Sequence, residues 1–385
     1  MTILSKLKSL ILRALDRKPV DFMRPPLRDP ATPSIEDIAA SAEAELAGFV
    51  SNGHYVAQKP NDLGDACIWQ GVYAAMCVHR WRVKQDETSR LEMVRAALAL
   101  AKYVRRGVLH RGAMPASLEN NLFHRDPTKT YHVDEDDFVR RDDASLDSLL
   151  GFCFGAATIQ KYGDREAISI IGGATASLCG QFIEDDCRLV KRDGSPTRFG
   201  NCRPGLFQAP VRVMAACLPS LVCGCPVWRR IAEEYAPEFS TPDTQIPGKM
   251  SWVNANLATL AALTYVTATA DRDPGRSEAR HGLNRLLDKY SDAGNAFLIF
   301  GCLAARVPIS GDERRIGELV LAEFPLDAKR RNSPFIAVHD QPAPVFLRPP
   351  QDIVWQRSPY EMGGGEEAII YNRLDFLVSY YMSIW

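Results

Sequence analysis

The sequence predicts an all-α fold, an (α/α)6 toroid in which six inner helices form a ring inside six outer helices. Apolar residues recur at helical spacing along most of the chain. Six of the predicted helices are apolar and rich in small residues, as a crowded inner ring requires, and each is paired with a more charged helix before it. Strand-like alternation is nearly confined to residues 335–355, which predict a small hairpin or lid.

The helices predicted in the first half of the chain begin at favourable N-terminal residues. Ser34 is a good N-cap, and Glu36 follows it in the first turn. In the second helix Trp69 and Met76 lie two turns apart on one face. A long polar loop, residues 107–141, precedes the next inner helix. The predicted ranges are 34–49, 66–83, 89–105, 144–162 and 165–182.

The second half continues the alternation of inner and outer helices at unequal intervals, which is typical of a degenerate repeat. Small residues such as Ala258, Ala261 and Gly301 mark its inner helices. The predicted ranges are 204–221, 227–235, 252–269, 278–289, 292–305, 312–324 and 366–382. Over the whole chain, the inner helices are those that start near Ala66, Ala144, Pro204, Trp252, Asp292 and Glu366.

Two regions are predicted. Residues 1–33 comprise a basic amphipathic segment and a proline-rich linker, and residues 34–385 form the toroid, in which residues 324–365 are a lid or a long connection. Residues 1–20 predict a helix that docks on the protein's own body, on a protein partner or on a membrane surface. They lack the apolar run and the cleavage site of a signal peptide, which favours a cytoplasmic location.

The composition is that of an ordinary globular protein, with 46% hydrophobic and 24% charged residues. A net charge of -1 argues against nucleic acid as a partner. No run reaches the roughly 18 apolar residues that a membrane span needs. Most of the ten cysteines lie in apolar helical patterns, which is typical of reduced thiols in a cytoplasmic protein. Cys223 and Cys225 are too close for the usual zinc spacing, so we expect neither a metal nor another cofactor.

Acidic residues at the starts of two inner helices predict a shared reactive cavity, because the inner helices of a toroid open into one funnel. Asp62 and Asp65 precede the first of these helices, and Asp142, Asp143 and Asp147 lie at the start of the second. Glycosidic cleavage needs a carboxyl pair, one as proton donor and one to activate water or attack carbon. Helix capping is the alternative role for each acid. Asp147 falls a full turn inside the predicted helix, where it pairs with an arginine or a neighbouring helix.

Two segments resemble inner helices of toroid enzymes that act on carbohydrates, namely DLGDACIWQGVY at residues 62–73 and RDDASLDSLLG at residues 141–151. The chain is similar in particular to the unsaturated glucuronyl hydrolases and related toroid glycosidases. The resemblance implies a glycoside hydrolase in which two aspartates at the starts of inner helices act on an oligosaccharide or polysaccharide that contains uronic acid. By motif position these are Asp65 and Asp143, with Asp142 as the competitor for the second role.

The candidate substrate-binding residues are the polar and aromatic residues near the predicted helix mouths. Large aromatic side chains stack on sugar rings, but they also fill cores, and both interpretations stay open for Trp69 and Trp252. The predicted set is Trp69, Asp147, His132, Asn201, Arg203, Trp252, Asn254, Asn295 and Tyr371.

Two other functions stay open. The polar loop contains His110, Asn120 and His132, and in a polysaccharide lyase Asn or Arg neutralises a uronate carboxylate while Tyr or His removes the proton. The other alternative is a non-catalytic toroid that binds glycan or serves as a scaffold in a larger assembly, such as a phage virion. A virion protein is made in the cytoplasm and released by lysis, which agrees with the absence of a predicted signal peptide.

Overall fold

The computed structural model describes residues 33–51, 53–57, 61–202, 210–226, 234, 237, 252–291, 293–324 and 372–385. Ile35–Trp385 forms one compact unit. The predictions for residues 1–20 and for a hairpin at 335–355 lie outside the described residues. So do Arg203, Tyr371 and the side chain of Trp252.

Helices dominate the described residues, which confirms the prediction of a mainly α-helical chain. The helix predicted from residue 292 begins at Ala296, because Asn295 is its N-cap and accepts a hydrogen bond from Leu298 N at 3.0 Å. Within the described ranges there are eleven α-helices: α1 (Ile35–Leu46), α2 (Ala66–Lys84), α3 (Glu87–Ala101), α4 (Leu146–Tyr162), α5 (Arg165–Glu184), α6 (Pro210–Val222), α7 (Trp252–Ala268), α8 (Pro274–Tyr290), α9 (Ala296–Ala304), α10 (Gly311–Ala322) and α11 (Leu374–Ser383).

Six of these helices pack against one another in a closed series. α2 packs on α4, α4 packs on α6 and α7, α7 packs on α9, α9 packs on α11, and α11 returns to α2. They are the six that the sequence predicts as inner helices. The others flank them, because α3 packs on α2, α5 on α4, α8 on α7 and α10 on α9.

Five of these six helices, α2, α4, α7, α9 and α11, have their C-terminal halves at the same end. An apolar cavity of about 10 Å³ is bounded by the C-terminal halves of α2, α4, α7, α9 and α11, where Leu263, Met382 and Trp385 line it. A space of that size holds about one water molecule. The Trp385 ring lies 4.6 Å from the ring of Tyr162, and the Arg82 guanidinium lies 5.0 Å from the Trp385 ring. The N-terminal ends of these helices therefore lie together at the opposite end of the bundle.

Glycine residues let α2 and α4 approach each other closely, as their small-residue pattern predicts. A Cβ atom on Gly71 would lie 1.8 Å from the carbonyl oxygen of Gly151. A Cβ atom on Gly155 would lie 2.7 Å from the carbonyl oxygen of Gly71. The two backbones are therefore in direct contact, and side chains at these positions would force the helices apart.

The polar loop predicted at residues 107–141 is wrong in part, because much of it is β structure. β4, β7 and β6 form an antiparallel sheet in that order, and β8 pairs with β9 in a second antiparallel ladder. The described residues contain these short strands: β1 (Asn61–Asp62), β2 (Val104–Arg105), β3 (Val108–Leu109), β4 (Gly112–Pro115), β5 (Phe123–His124), β6 (Tyr131–Val133), β7 (Phe138–Arg141), β8 (Arg188–Val190) and β9 (Pro196–Asn201).

A buried arginine attaches the three-stranded sheet to the helices. Arg140 of β7 is only 1% exposed. Its Nε donates a hydrogen bond to Asp134 Oδ2 at 2.5 Å, and its Nη1 donates to the carbonyl oxygen of Lys102 at the end of α3. Because a buried cation needs such partners, this network holds β7 in place immediately before the start of α4.

Among the described residues, α5 is the one helix long and apolar enough to cross a membrane. One such helix is weak evidence, since core helices of soluble proteins pass the same test. α5 packs against α3, α4 and α6 of the compact unit.

Candidate active site

The start of α2, the start of α4 and the connection between β3 and β4 meet at the N-terminal end of the inner helices. Arg111, in that connection, donates its backbone N–H to the carbonyl oxygen of Arg141 at 2.9 Å. Its own carbonyl oxygen accepts a hydrogen bond from Cys67 N at 3.0 Å, in the first turn of α2. The small sheet thus brings a histidine, His110, and an arginine, Arg111, between the two acidic helix starts.

Asp65 is the N-terminal flanking residue of α2, but its side chain makes no capping hydrogen bond. The carboxylate instead forms an ion pair with Arg111 and remains 39% exposed. Arg111 Nε donates to the carbonyl oxygen of Gly64 at 2.8 Å, and Arg141 Nη1 donates to the same oxygen at 3.1 Å. Capping is therefore not the role of the Asp65 carboxylate, which two arginines border on a partly open surface.

The start of α4 is capped by serine residues and not by its acids. Ser145 is the N-cap and forms a capping box with Ser148, whose Oγ accepts a hydrogen bond from Ser145 N at 3.3 Å. Asp142 and Asp143 precede this cap, and Asp147 lies in the first turn. The prediction that Asp147 lies a full turn inside the helix is wrong, because α4 begins at Leu146. The three carboxylates therefore do not cap α4 and make other contacts.

Asp147 lies within electrostatic range of Asp65. Burial raises the pKa of Asp147 above 3.8, the nearby negative charge of Asp65 raises it further, and Arg111 opposes both effects. The two carboxyl groups therefore have different environments, since Asp65 is paired with a guanidinium and partly open to water. One carboxyl group is biased toward its protonated form and the other has a cationic partner.

Asp143 makes a different contact. Its backbone is left-handed, with φ 69°, and its Oδ1 accepts a hydrogen bond from Arg198 N of β9 at 2.8 Å. The bond ties the start of α4 to the β8–β9 ladder. The catalytic role of Asp143 stays a prediction, and the acid that interacts with Asp65 across the helix starts is Asp147.

Asp142 lies between two histidines. His110 Nδ1 is 3.1 Å from Asp142 Oδ1, and His132 Nδ1 is 3.7 Å from Asp142 Oδ2. Burial opposes ionisation of Asp142, but the hydrogen bond with His110 and the charges nearby lower its pKa. Burial lowers the pKa of both His110 and His132, against the raising effect of Asp142.

This histidine–aspartate group has two chemical uses. One nitrogen of each histidine and one carboxylate oxygen of Asp142 lie within 4.8 Å of one another. Two nitrogen donors and one oxygen donor at this spacing suit a divalent metal ion. The imidazole of His132, which is paired with the Asp142 carboxylate, is also a group of the type that transfers protons in catalysis.

Of the remaining predicted substrate-binding residues, some lie in the interior of the protein and others at its surface. Trp69 is 3% exposed and belongs to the core, the alternative that its helical spacing also allows. Asn295 is fully buried, and its Nδ2 donates to Asn256 Oδ1 at 2.8 Å, which joins the starts of α9 and α7. Asn254 is exposed near the start of α7, and Asn201 is exposed at the end of β9.

Sequence reasoning missed Arg111, which the structure brings to the centre of the group. Its position in a long polar loop gave no indication of its partner, since the pairing depends on the turn between β3 and β4. An open pocket of about 340 Å³ is lined by Arg276, Arg280 and His281 and contains none of the predicted site residues. That pocket is lined by the exposed carboxylate of Asp271 but by no pair of carboxyl groups. The acidic starts of α2 and α4 are therefore the better candidate for a catalytic site.

No protein-family model, no curated protein and no solved structure matches this chain. The chemistry of the mouth residues themselves is therefore the basis for interpreting the site.

Proposed function

We propose that this chain is an (α/α)6 toroid that hydrolyses glycosidic bonds in oligosaccharides or polysaccharides containing uronic acid. The observation that carries the proposal is the pair formed by Asp65 and Asp147, whose surroundings differ: burial and the charge of Asp65 raise the pKa of Asp147, whereas Asp65 forms an ion pair with Arg111. Acid–base catalysis by two carboxyl groups requires this difference, because one must hold a proton while the other accepts one.

In the proposed reaction Asp147 is the general acid. Its raised pKa keeps the proton that it donates to the departing glycosidic oxygen. Asp65 is the carboxylate that removes a proton from the attacking water or attacks the anomeric carbon itself. Arg111 forms an ion pair with Asp65, and together with Arg141 it supplies positive charge suited to a uronate carboxylate.

The toroid is supported by the closed packing series from α2 back to α2 and by the shared direction of five of the inner helices. Such a ring gathers the helix starts at one end. The acid pair lies on two helices whose backbones touch, so their relative position is well defined.

A polysaccharide lyase is the second candidate, favoured by the position of His132 beside Asp142 and opposite Arg140 in the small sheet. In this reaction His132 removes the proton next to a uronate carboxylate that Arg111 or Arg141 neutralises. Asp142 stabilises the resulting imidazolium from 3.7 Å away.

The products separate the candidates. A hydrolase of the proposed kind adds water across the glycosidic bond of uronic-acid oligosaccharides and releases new reducing ends without forming a double bond, whereas a lyase eliminates the leaving sugar and creates a double bond that absorbs in the ultraviolet. For a hydrolase we expect Asp65→Asn and Asp147→Asn each to reduce kcat about 10²-fold or more. The matched control is Asp137→Asn, an exposed aspartate in the turn between β6 and β7.

The remaining variants test the alternatives. Asp143→Asn tests the role that the resemblance implies, and His132→Gln is expected to abolish lyase activity alone. Wild-type rates in both the Asp65 and the Asp147 variants would show that the pair is misassigned. Binding of these sugars without cleavage would favour the glycan-binding or scaffold alternative, including a virion protein. A protein partner or membrane surface for residues 1–20 and a cytoplasmic location stay predictions.

A further inference from the structure

Three cysteine side chains meet where the end of α6 faces α5. Cys179 belongs to α5, and Cys223 and Cys225 directly follow α6. Their Sγ atoms all lie within 4.8 Å of one another, and all three thiols are free. Cys179 is buried and the other two are partly buried. This group, the thiol cluster, shares no residue with the proposed active site.

The backbone after α6 holds two of the thiols in a defined arrangement. Cys225 N donates to the carbonyl oxygen of Ser220 at 2.8 Å, and Gly224 N donates to that of Leu221 at 3.2 Å. Gly224 has φ 75°, so these bonds form a Schellman motif, the left-handed ending that glycine favours. The turn places the residues on either side of Gly224 against Cys179. Their close spacing in the sequence is therefore compatible with a shared site, because the third thiol comes from another helix.

The thiols interact mainly with one another and with Ser220. Cys179 Sγ lies 3.5 Å from Ser220 Oγ, and Cys223 Sγ lies 3.3 Å from the Ser220 carbonyl oxygen. The sulfurs of Cys179 and Cys223 therefore lie on either side of Ser220, with their metal-binding atoms turned toward one another.

We propose that the thiol cluster binds a thiophilic d¹⁰ cation, Zn²⁺ or Cu⁺, through Cys179, Cys223 and Cys225. Thiolates bound to one zinc ion by bonds of about 2.3 Å lie about 4 Å apart, which agrees with the observed grouping. Each S–H bond that breaks releases its proton to solvent as the sulfur–metal bond forms, and no electron is transferred. Three thiolates suffice for trigonal Cu⁺, whereas Zn²⁺ takes one further ligand, such as water.

The test uses the full-length protein kept reduced, with Zn²⁺ and Cu⁺ added separately and Co²⁺ as the spectroscopic substitute for Zn²⁺. We expect one equivalent of metal to bind, thiolate-to-cobalt charge-transfer bands to appear, and the Tm to rise. Cys179→Ala, Cys223→Ala and Cys225→Ala should each weaken binding at least tenfold. Cys302→Ala, at a buried thiol of α9, is the matched control and should bind as the wild type does.

A second measurement needs no variant. Bound metal should protect Cys223 and Cys225, the two partly buried thiols of the cluster, from alkylation in the native protein, as mapped by mass spectrometry, and leave the labelling of Cys187 unchanged. The metal that gives the larger Tm rise at equal free concentration identifies the preferred ion. Unchanged labelling of the cluster, or equal metal binding by all four alanine variants, would refute the proposal. So would a disulfide within the cluster as the sole product of metal treatment.

Discussion

The backbones of Gly71 and Gly151 touch, so that a Cβ atom on Gly71 would lie 1.8 Å from the carbonyl oxygen of Gly151. This contact joins the two helices that present Asp65 and Asp147 at their starts. Because the helices cannot separate or slide without losing it, the distance between the two carboxyl groups is set by backbone packing.

Gly151→Ala should destabilise the protein by about 3 kcal/mol, because a methyl group there meets the backbone of Ile68 at 2.3 Å. Urea denaturation followed by circular dichroism measures the change. Gly173→Ala in α5 is the matched control, since a Cβ at that position meets nothing within 4 Å. It should add about 0.5 to 1 kcal/mol of stability through helix propensity alone. Equal effects of the two substitutions would contradict the close packing of α2 and α4.

Asp147→Asn should stabilise the protein at neutral pH. The pKa of Asp147 is higher in the folded state than its usual 3.8, so the folded state binds more protons and stability falls as pH rises through this range. The difference between variant and wild type should thus be absent below pH 3.8 and grow above it. Denaturation curves over a pH series measure it, and a pH-independent difference would rule out the raised pKa.

Asp142→Asn should have the opposite effect, because the pKa of Asp142 is lowered in the folded state. Its contribution to stability is present above pH 3.8 and is lost as pH falls through the folded pKa. We expect a loss of about 1 kcal/mol at neutral pH from the weakened contact with His110. The same pH series serves here, and a loss that persists at the lowest pH would indicate a packing defect instead.

Buried histidines should make the protein sensitive to acid. Burial lowers the pKa of His79 from 6.5 to about 3, with a smaller effect of Arg82. Below pH 6.5 the unfolded chain binds a proton that the folded chain does not, so stability falls by about 1.4 kcal/mol per pH unit for this group until the folded pKa is reached.

His79→Leu should remove that share of the slope, which acid denaturation at several urea concentrations would measure. His281→Gln, on the exposed side of α8, is the control and should leave the slope unchanged. If His79→Leu leaves it unchanged as well, His79 is protonated in the folded protein.

Arg140→Met should cost about 3 kcal/mol, because it leaves the carboxylate of Asp134 largely buried with one cationic partner fewer. Arg106→Met is the matched control. Its side chain is 78% exposed and pairs with Glu135 at the surface, where such pairs contribute less than about 1 kcal/mol. Thermal unfolding of both variants checks the prediction, and a similar small change in each would mean that Arg140 is not needed to hold the sheet.

The inner helices were predictable because the information for them is local. Apolar spacing marks α2, and the glycines at 151 and 155 mark the crossing of α4, so a short window of sequence suffices. The strands of the small sheets were missed because each is short, at most six residues, and their pairing joins distant segments. The buried network of Arg140, which holds the sheet in place, cannot be deduced from any such window.

The candidate site was predictable only in part, for a similar reason. The acidic helix starts stand out in the sequence, but several residues before α4 are good caps, and Ser145 takes that position in the structure. The resemblance pairs Asp65 with Asp143, whereas in the structure it is the pKa of Asp147 that the charge of Asp65 raises. Which carboxylates meet depends on tertiary distances.

The capping box of Ser145 and Ser148 stabilises the start of α4 without using the acidic side chains nearby. Since the serines satisfy the first backbone groups of α4, the acids around them can be exchanged one at a time without unravelling the helix. Single substitutions of these acids during evolution therefore change the chemistry at the start of α4 while the fold is kept. New specificities can arise at the start of α4 with little loss of stability.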